Sequence, residues 1–93
     1  MCGVDFEWDA QKEAENLAKH RVGFELAQAA FSDPRRILLV DDTHSQSEPR
    51  YFCVGSIGER ILTVRFTLRG GTVRIIGAGY WRKFKKLYED QET

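Results

Sequence analysis

Two glycine-containing turns constrain the fold of this chain more than any other feature. Gly58-Glu59 and Gly70-Gly71 separate three runs between residues 50 and 79 that are rich in Val, Ile, Thr, Phe and Tyr. Two-residue loops of this kind join antiparallel strands, because their central positions favour residues that tolerate positive φ. The stretch therefore predicts three consecutive antiparallel strands joined by two tight hairpins.

The turns also predict which residues face each other. Counting outward from the second turn places Arg74 opposite Thr67, and the same count places Ile76 opposite Arg65. Side chains of a strand alternate between its two faces. The predicted core face carries Tyr51, Cys53, Leu62, Val64, Phe66, Leu68, Val73 and Ile75. The predicted opposite face carries Arg50, Phe52, Val54, Thr63, Arg65, Thr67, Arg69 and Arg74.

The segments on either side of the hairpins predict three helices and further extended structure. Helical spacing of apolar residues predicts helices over residues 10–20 and 24–31, and a basic amphipathic helix over residues 80–88. Residues 6–8 are predicted to form an edge strand or an extended arm. The continuous apolar run within residues 36–41 predicts a strand that is buried on both faces or lies near the middle of a sheet.

Together these elements predict a single α+β domain spanning residues 1–93. It contains two N-terminal helices, a small antiparallel sheet of about four strands and a C-terminal helix. A chain of 93 residues with 42% hydrophobic residues is long enough for one small core. No apolar run approaches the roughly 20 residues of a membrane span. The N-terminus lacks the basic and apolar regions of a signal peptide, so a cytoplasmic location is expected.

The cysteines and histidines give no metal-binding signature. Cys53 alternates with core residues and Cys2 lies near the N-terminus, and both are predicted to be free thiols. The two histidines have no cysteine or carboxylate at a ligand spacing. We therefore expect neither a metal nor another cofactor.

The net charge of zero hides a strong asymmetry along the chain. Residues 60–88 contain eight Lys and Arg and no Asp or Glu, whereas residues 1–59 contain six basic and eleven acidic residues. A basic segment within a neutral protein indicates a site for a polyanion or a docking surface for an acidic partner. The alternative is an ordinary solvated surface.

The predicted arginine face has the chemistry that metal-independent RNA cleavage requires. Arginines bind phosphate oxygens bidentately and never lose their proton. Glu48 is predicted to lie opposite Arg69, and His44 lies in the preceding loop. A carboxylate or an imidazole can remove the proton of a ribose 2′-OH or protonate the leaving oxygen. The catalytic candidates are His44, Glu48, Arg50, Arg65, Arg69 and Arg74.

Several of these side chains also have simpler interpretations. Glu48 can be an ion-pair partner of Arg50 or Arg69, and His44 can be an ordinary loop histidine. Thr67 offers a hydroxyl for RNA, and Trp81 can stack on an unpaired base or belong to the core. Lys12, Asn16 and Lys19 form one helical stripe that either faces water or approaches the arginine face or a partner.

The sequence resembles a known family over residues 6–88. The resemblance rests on FEWD at residues 6–9, K…N..KH at residues 12–20 and HS..E.R at residues 44–50. These motifs are those of the BrnT toxins of type II toxin–antitoxin systems. The resemblance implies a RelE-like fold and a toxic ribonuclease that blocks translation without a metal. It also implies a BrnA-type antitoxin with a ribbon-helix-helix DNA-binding domain, through which alone the toxin would reach DNA.

One position departs from the pattern of the resembled family. Many members carry an arginine where this chain has Gly79. Arg82 or Lys83 could supply a replacement charge, and together with Arg60 they are the further candidates for binding RNA. If the missing arginine is essential, the chain is a weak or inactive member that binds its antitoxin in transcriptional autoregulation. A general RNA-binding module is a third possibility.

Overall fold

A computed structural model describes residues 5–42 and 48–91 of the protein. The strands are β1 (Phe6–Trp8), β2 (Ile37–Val40), β3 (Tyr51–Ile57), β4 (Arg60–Arg69) and β5 (Thr72–Gly79). The helices are α1 (Ala10–His20), α2 (Phe24–Ala27), a 3₁₀ helix (Gln28–Ser32) that continues α2, and α3 (Arg82–Asp90). The α+β class is therefore confirmed.

The sheet has five strands rather than about four, and it is mixed rather than antiparallel. The strand order is β1-β5-β4-β3-β2. β1 pairs in parallel with β5, and the other three pairs are antiparallel. The additional strand is β1, which the sequence predicts as an edge strand or an extended arm. Its parallel pairing with β5 could not be predicted, because no tight turn connects the two strands.

Both predicted hairpins form, with one difference in register. Gly58, Gly70 and Gly71 all adopt positive φ, as their turns require. Beyond the second turn the observed pairing follows the prediction until a bulge intervenes. There Arg65 pairs with Gly77 rather than with Ile76, because Ile76 is the extra residue of the bulge. A bulge inserts one residue and increases the local twist, so counting from the turn fails beyond it.

The main core lies between the sheet and the layer formed by α2 and the 3₁₀ helix. Six of the eight predicted core residues are buried there, namely Cys53, Leu62, Val64, Phe66, Val73 and Ile75. Burial raises the pKa of the Cys53 thiol to about 12. Tyr51 is only partly buried and packs against this core. Leu68 is 50% exposed, so its predicted burial is wrong.

The strand predicted to be buried, β2, instead lies at an edge of the sheet. Its side chains Leu38 and Val40 are 57% and 60% exposed. They form a shallow apolar groove together with Tyr51, Phe66 and Leu68. A continuous apolar run therefore did not indicate burial here, because the strand has a neighbour on one side only.

The alternation pattern predicts a cluster of arginines on the opposite face of the sheet. In the structure, an apolar layer also covers part of this face. α3 packs across β3 and β4, where Phe84 contacts Phe52 at 4.8 Å between ring centroids. Val54 and Thr63 are fully buried on this face. The helix thus forms a second, smaller apolar layer, and the arginines lie around it.

Asn16 fastens α1 to the end of β5. Its amide nitrogen donates to the carbonyl oxygens of Val22 and Ala78, both at 2.9 Å, and its amide oxygen accepts from the Ala78 N–H at 3.1 Å. We expect Asn16→Ala to lower the free energy of unfolding by about 2 kcal/mol, because buried backbone groups lose their partners. Urea unfolding measures this loss. Gln11→Ala, at an exposed position of α1, should stay close to the unaltered protein, and equal stability of the two variants would contradict the role of Asn16.

Asp33 connects the start of β2 to α3 and makes folding sensitive to acid. Its carboxylate accepts hydrogen bonds from the Tyr88 hydroxyl, the Ser56 N–H at 2.7 Å and the Arg35 N–H at 2.9 Å. Partial burial raises the pKa of Asp33, but these hydrogen bonds and the charge of Arg35 outweigh it and leave the pKa below its ordinary value.

The lowered pKa sets the direction of the pH dependence. A carboxyl that is more acidic in the folded state stabilises the fold above its unfolded pKa of about 3.9, and this stabilisation is lost as the pH falls through the folded value. We expect Asp33→Asn to cost about 1 kcal/mol at pH 7 and to flatten the decline of stability below about pH 5. Urea midpoints between pH 3 and pH 7 test this. Glu89→Gln, exposed on α3, should retain the full decline.

Candidate nucleic-acid interface

A cleft lies between α1, the β4–β5 pair and the start of α3. It consists of two adjoining cavities of about 430 and 290 Å³. The larger is lined by Asp41, Phe52, Arg65, Trp81, Arg82, Lys83 and Phe84. The smaller is lined by Lys12, Glu15, Asn16, Lys19, His20, Arg65, Ile76, Gly77 and Trp81. Arg65 and Trp81 line both cavities, so they stand at the centre of the cleft.

A buried carboxylate lies beside Arg65 at this centre. Its Nε lies 3.9 Å from an Asp41 carboxylate oxygen, and the Asp41 side chain is only 4% exposed. The Arg65 side chain is 33% exposed, so part of it reaches solvent. The backbone N–H of Asp41 donates to the Arg50 carbonyl at 2.8 Å, which fixes the end of β2 beside β3. The result is a permanent positive charge beside a buried carboxylate, with part of the side chain open to solvent.

α1 brings two lysines and a histidine to the same cleft. Lys12, Asn16 and Lys19 share one side of the helix because they are separated by four and three residues. The buried Asn16 anchors that side to β5, and Lys12 and Lys19 therefore border the cavity that contains Arg65. The stripe of Lys12, Asn16 and Lys19 therefore approaches the arginine face of the sheet, which is one of the two alternatives that the sequence left open.

Trp81 occupies the space that a side chain at position 79 would need. A Cβ atom added to Gly79 would lie 2.8 Å from Trp81 Cζ2, closer than real Cβ contacts. The indole also contacts the His20 ring in a T-shaped arrangement, with 5.3 Å between the ring centroids. Only glycine leaves enough space at position 79 for the indole of Trp81 in this position. The indole forms a wall of the cleft.

Besides Trp81, three more of the predicted RNA-binding residues border this cleft or the next one. Arg82 and Lys83 line the larger cavity. Arg60 lies over the Tyr80 ring at 3.8 Å from its centroid, and both line a neighbouring cavity of about 290 Å³. Thr67 is only 1% exposed and its hydroxyl donates to the Pro49 carbonyl at 2.6 Å, so it fixes the start of β3.

The remaining predicted arginines form a second charged group beyond Thr67. Arg69 donates to Glu48 at 3.1 Å, at the position that the pairing predicted, and Arg74 donates to Glu7 at 3.1 Å. The hydrogen bond from Arg69 lowers the pKa of Glu48, and the same bond raises the pKa of Arg69. Arg50 contributes a further positive charge beside Glu48. These arginines are therefore partly neutralised, and His44 lies outside the described residues.

Sequence reasoning missed two features of the site. The parallel pairing of β1 with β5 places Glu7 directly across from Arg74, and this neighbour was not foreseen. Asp41 was read only as the end of a strand, although it lines the larger cavity beside Arg65. The position of Asp41 at the boundary between an apolar run and a polar loop was the one available signal.

The comparison with known proteins decides the family. The sequence profile described as "Ribonuclease toxin, BrnT, of type II toxin-antitoxin system" matches residues 8–84. The chain belongs to the BrnT family. The match covers most of the chain and includes all the elements of the cleft, from α1 to the start of α3. No curated protein matches the sequence.

Membership in the family assigns this BrnT chain to a general class of toxins. It is a member of a ribonuclease toxin family, and a type II system implies an antitoxin partner. Within residues 5–42 and 48–91, no helix is long and apolar enough to cross a membrane. The same residues contain no group of three His, Cys, Asp or Glu side chains arranged to hold a metal ion.

Proposed function

We propose that this BrnT chain is an endoribonuclease toxin that cleaves mRNA without a metal and thereby blocks translation in the cytoplasm. Its neutralising partner is a BrnA-type antitoxin with a ribbon-helix-helix domain, and its fold is RelE-like. One observation carries the proposal: Arg65 shares a cavity of about 290 Å³ with Lys12 and Lys19, so cations from the sheet and from α1 border one space that can hold a phosphate group.

The cleft supports an attack by the ribose 2′-OH on the adjacent phosphate, in which the O2′–P bond forms and the P–O5′ bond breaks. The 2′-OH gives its proton to a base, and the leaving 5′-oxygen receives a proton from an acid. Arg65 stabilises the negative charge that develops on the phosphorane, and Lys12 and Lys19 hold the flanking phosphate oxygens. The imidazole of His20 lies in the same cavity, and an imidazole has nitrogen atoms that can accept or donate a proton. These groups need no cofactor for the reaction.

The second charged group extends the surface along the RNA strand. Arg69 and Arg74 lie on the same face as Arg65 but are paired with Glu48 and Glu7. We assign them to binding phosphates that flank the cleaved bond, together with Arg50. Glu48, which accepts from Arg69 at this end of the face, is a second proposed proton-transfer group, and His44 is retained as a candidate from the sequence. Arg82 and Lys83 extend binding along the larger cavity, and Arg60 extends it into the neighbouring cavity.

Induced expression in a bacterial host tests the toxin function. Expression of the unaltered chain should arrest growth, and co-expression of the antitoxin should restore it. A short ribbon-helix-helix protein encoded next to the toxin gene identifies the antitoxin to use. Unimpaired growth at a protein level where the chain is folded would contradict the toxin function.

One alternative function has a specific observation in its favour. Glu48 and Glu7 partly neutralise Arg69 and Arg74, and Gly79 stands where many members of the resembled family have an arginine. A catalytically inactive chain would bind its antitoxin and regulate transcription with it. That alternative predicts a stable complex with the antitoxin and intact RNA after prolonged incubation, whereas the leading proposal predicts RNA fragments from the free toxin.

A further inference from the structure

A third cavity adjoins the cleft, namely the one of about 290 Å³ that the Arg60–Tyr80 pair lines. Two further cations line it, Arg82 and Lys85, and all three cationic residues are exposed. Among the described residues of this lining, Glu59 in the first hairpin turn is the single carboxylate. The composition therefore favours an anionic ligand. It also includes a residue, Lys85, that does not line the cleft.

The protein does not neutralise the three cations of the third cavity. Within residues 5–42 and 48–91, none of them forms an ion pair or donates a side-chain hydrogen bond, and Glu59 is not an exception. The arginine face of the sheet differs in this respect. There a carboxylate oxygen lies between 3.1 and 3.9 Å from a guanidinium nitrogen of each of Arg65, Arg69 and Arg74. The donors of the third cavity are therefore available to a ligand.

Tyr80 restrains Arg60 without occupying its hydrogen-bond donors. The guanidinium carbon lies 3.8 Å from the centroid of the Tyr80 ring, and Tyr80 itself packs against the main core. A guanidinium over an aromatic face keeps its N–H groups at the edges of its own plane. Arginine binds phosphate oxygens through such N–H groups, whereas Lys85 contributes a point charge on a flexible stem. The combination is suited to a phosphate group.

The third cavity is continuous with the cleft but does not include the cation assigned to the reacting phosphate. Trp81 and Arg82 line both the third cavity and the larger cavity of the cleft. Arg65 lines the two cavities of the cleft and not the third. A ligand in the third cavity is therefore next to the cleft and separate from the bond that is cleaved there.

We propose that the third cavity binds a phosphate of the RNA strand outside the cleaved bond, through Arg60, Arg82 and Lys85. The inference rests on the proposed function, since it takes RNA as the ligand and Arg65 as the cation at the reacting phosphate. The substrate is then an RNA strand that extends past Trp81 beyond the cleaved bond. The distal phosphate contributes affinity whatever base it carries, because contacts to the backbone carry no sequence information.

Binding of an uncleavable oligonucleotide tests the inference. The ligand is a labelled 2′-O-methyl RNA octanucleotide, because methylation blocks attack by the 2′-OH, and fluorescence anisotropy measures the dissociation constant. We expect Lys85→Ala and Arg60→Ala each to raise this constant about 10-fold, since each removes a charged donor to the phosphate. In the double variant, the slope of log K against log salt concentration should become less negative by about 0.7, the value for one phosphate contact on a single strand.

Lys86→Ala is the matched control. Lys86 is the next residue of α3, is exposed and lies 3.9 Å from the Asp90 carboxylate, and it does not line the third cavity. The control removes the same charge from the same helix, so it measures the effect of net charge alone. Its dissociation constant should stay within about 2-fold of that of the unaltered protein, because exposed charges away from the ligand are screened by salt.

The outcomes distinguish this inference from the proposed function. Equal effects of Lys85→Ala and Lys86→Ala overturn the phosphate site, and so does a Lys85→Ala variant that binds the antitoxin more weakly but the octanucleotide normally. Where RNA is cleaved, Lys85→Ala should raise KM rather than lower kcat. Cleavage with an unaltered KM overturns the site and leaves the ribonuclease standing. Binding that depends on Lys85, without any cleavage of RNA, supports the site and overturns the ribonuclease.

Discussion

Replacing Arg65 by alanine is expected to reduce RNA cleavage at least about 100-fold. Arg65 lines both cavities of the cleft, and in the proposed function it is the cation of the sheet that binds the reacting phosphate. A preorganised donor in a partly buried site stabilises the charge of the transition state more than a solvated lysine does. Cleavage of a labelled RNA under single-turnover conditions measures the effect.

The Arg65 experiment needs controls for folding, because Asp41 is nearly buried beside the guanidinium. Alanine at position 65 leaves this carboxylate without the ion pair, which destabilises the fold. The double variant Arg65→Ala/Asp41→Asn has no buried carboxylate at position 41, so it should regain stability without regaining activity. Arg65→Lys keeps the charge but loses the planar fork, so it should be intermediate. Full activity in a folded Arg65→Ala variant would remove Arg65 from the catalytic machinery.

Gly55→Ala is expected to destabilise the fold by about 3 kcal/mol, the largest effect on stability that we predict for a single added methyl group. A Cβ at this position of β3 would lie 2.3 Å from the Ala30 carbonyl oxygen. The obstacle is backbone of the 3₁₀ helix and cannot rotate away. Either the helix must move off the sheet or β3 must shift in register, and the core contacts between them are lost. Thermal and urea unfolding both report the change.

Gly77→Ala is the matched control for the Gly55 experiment. It also adds one methyl group to a strand glycine, but its Cβ would meet Asn16 Oδ1 at 3.5 Å, an ordinary contact. Its stability should remain within about 1 kcal/mol of that of the unaltered protein. Similar losses for the two variants would mean that the close approach of β3 to the 3₁₀ helix does not explain the glycine at position 55.

The sequence predicted the local structure well and the long-range pairings only in part. The hairpins follow from the turns at Gly58 and Gly70, because turn geometry depends on a few adjacent residues. The bulge at Ile76 and the parallel pairing of β1 depend on contacts between distant segments. Similarly, the exposure of Leu38 depends on the place of β2 in the strand order. None of these features has a local sequence signal.

For the candidate site as well, the sequence predicted local neighbours but not the tertiary environment of each side chain. The alternation along β4 identified Arg65, Thr67 and Arg69 as neighbours on one face, but it could not distinguish their environments. Arg65 enters a cleft, Thr67 is buried, and Arg69 is paired with Glu48. The difference arises because α1 and α3 converge near Arg65 only, and their packing follows from tertiary contacts.

The measurement that tests the central claim most directly is incubation of the purified, antitoxin-free protein with single-stranded RNA in the presence of EDTA, followed by analysis of the fragment ends. Attack by the 2′-OH without a metal predicts fragments with 2′,3′-cyclic phosphate and 5′-hydroxyl ends, and markedly fewer fragments with Arg65→Ala. Intact RNA, or fragments with 3′-hydroxyl and 5′-phosphate ends, would contradict the account.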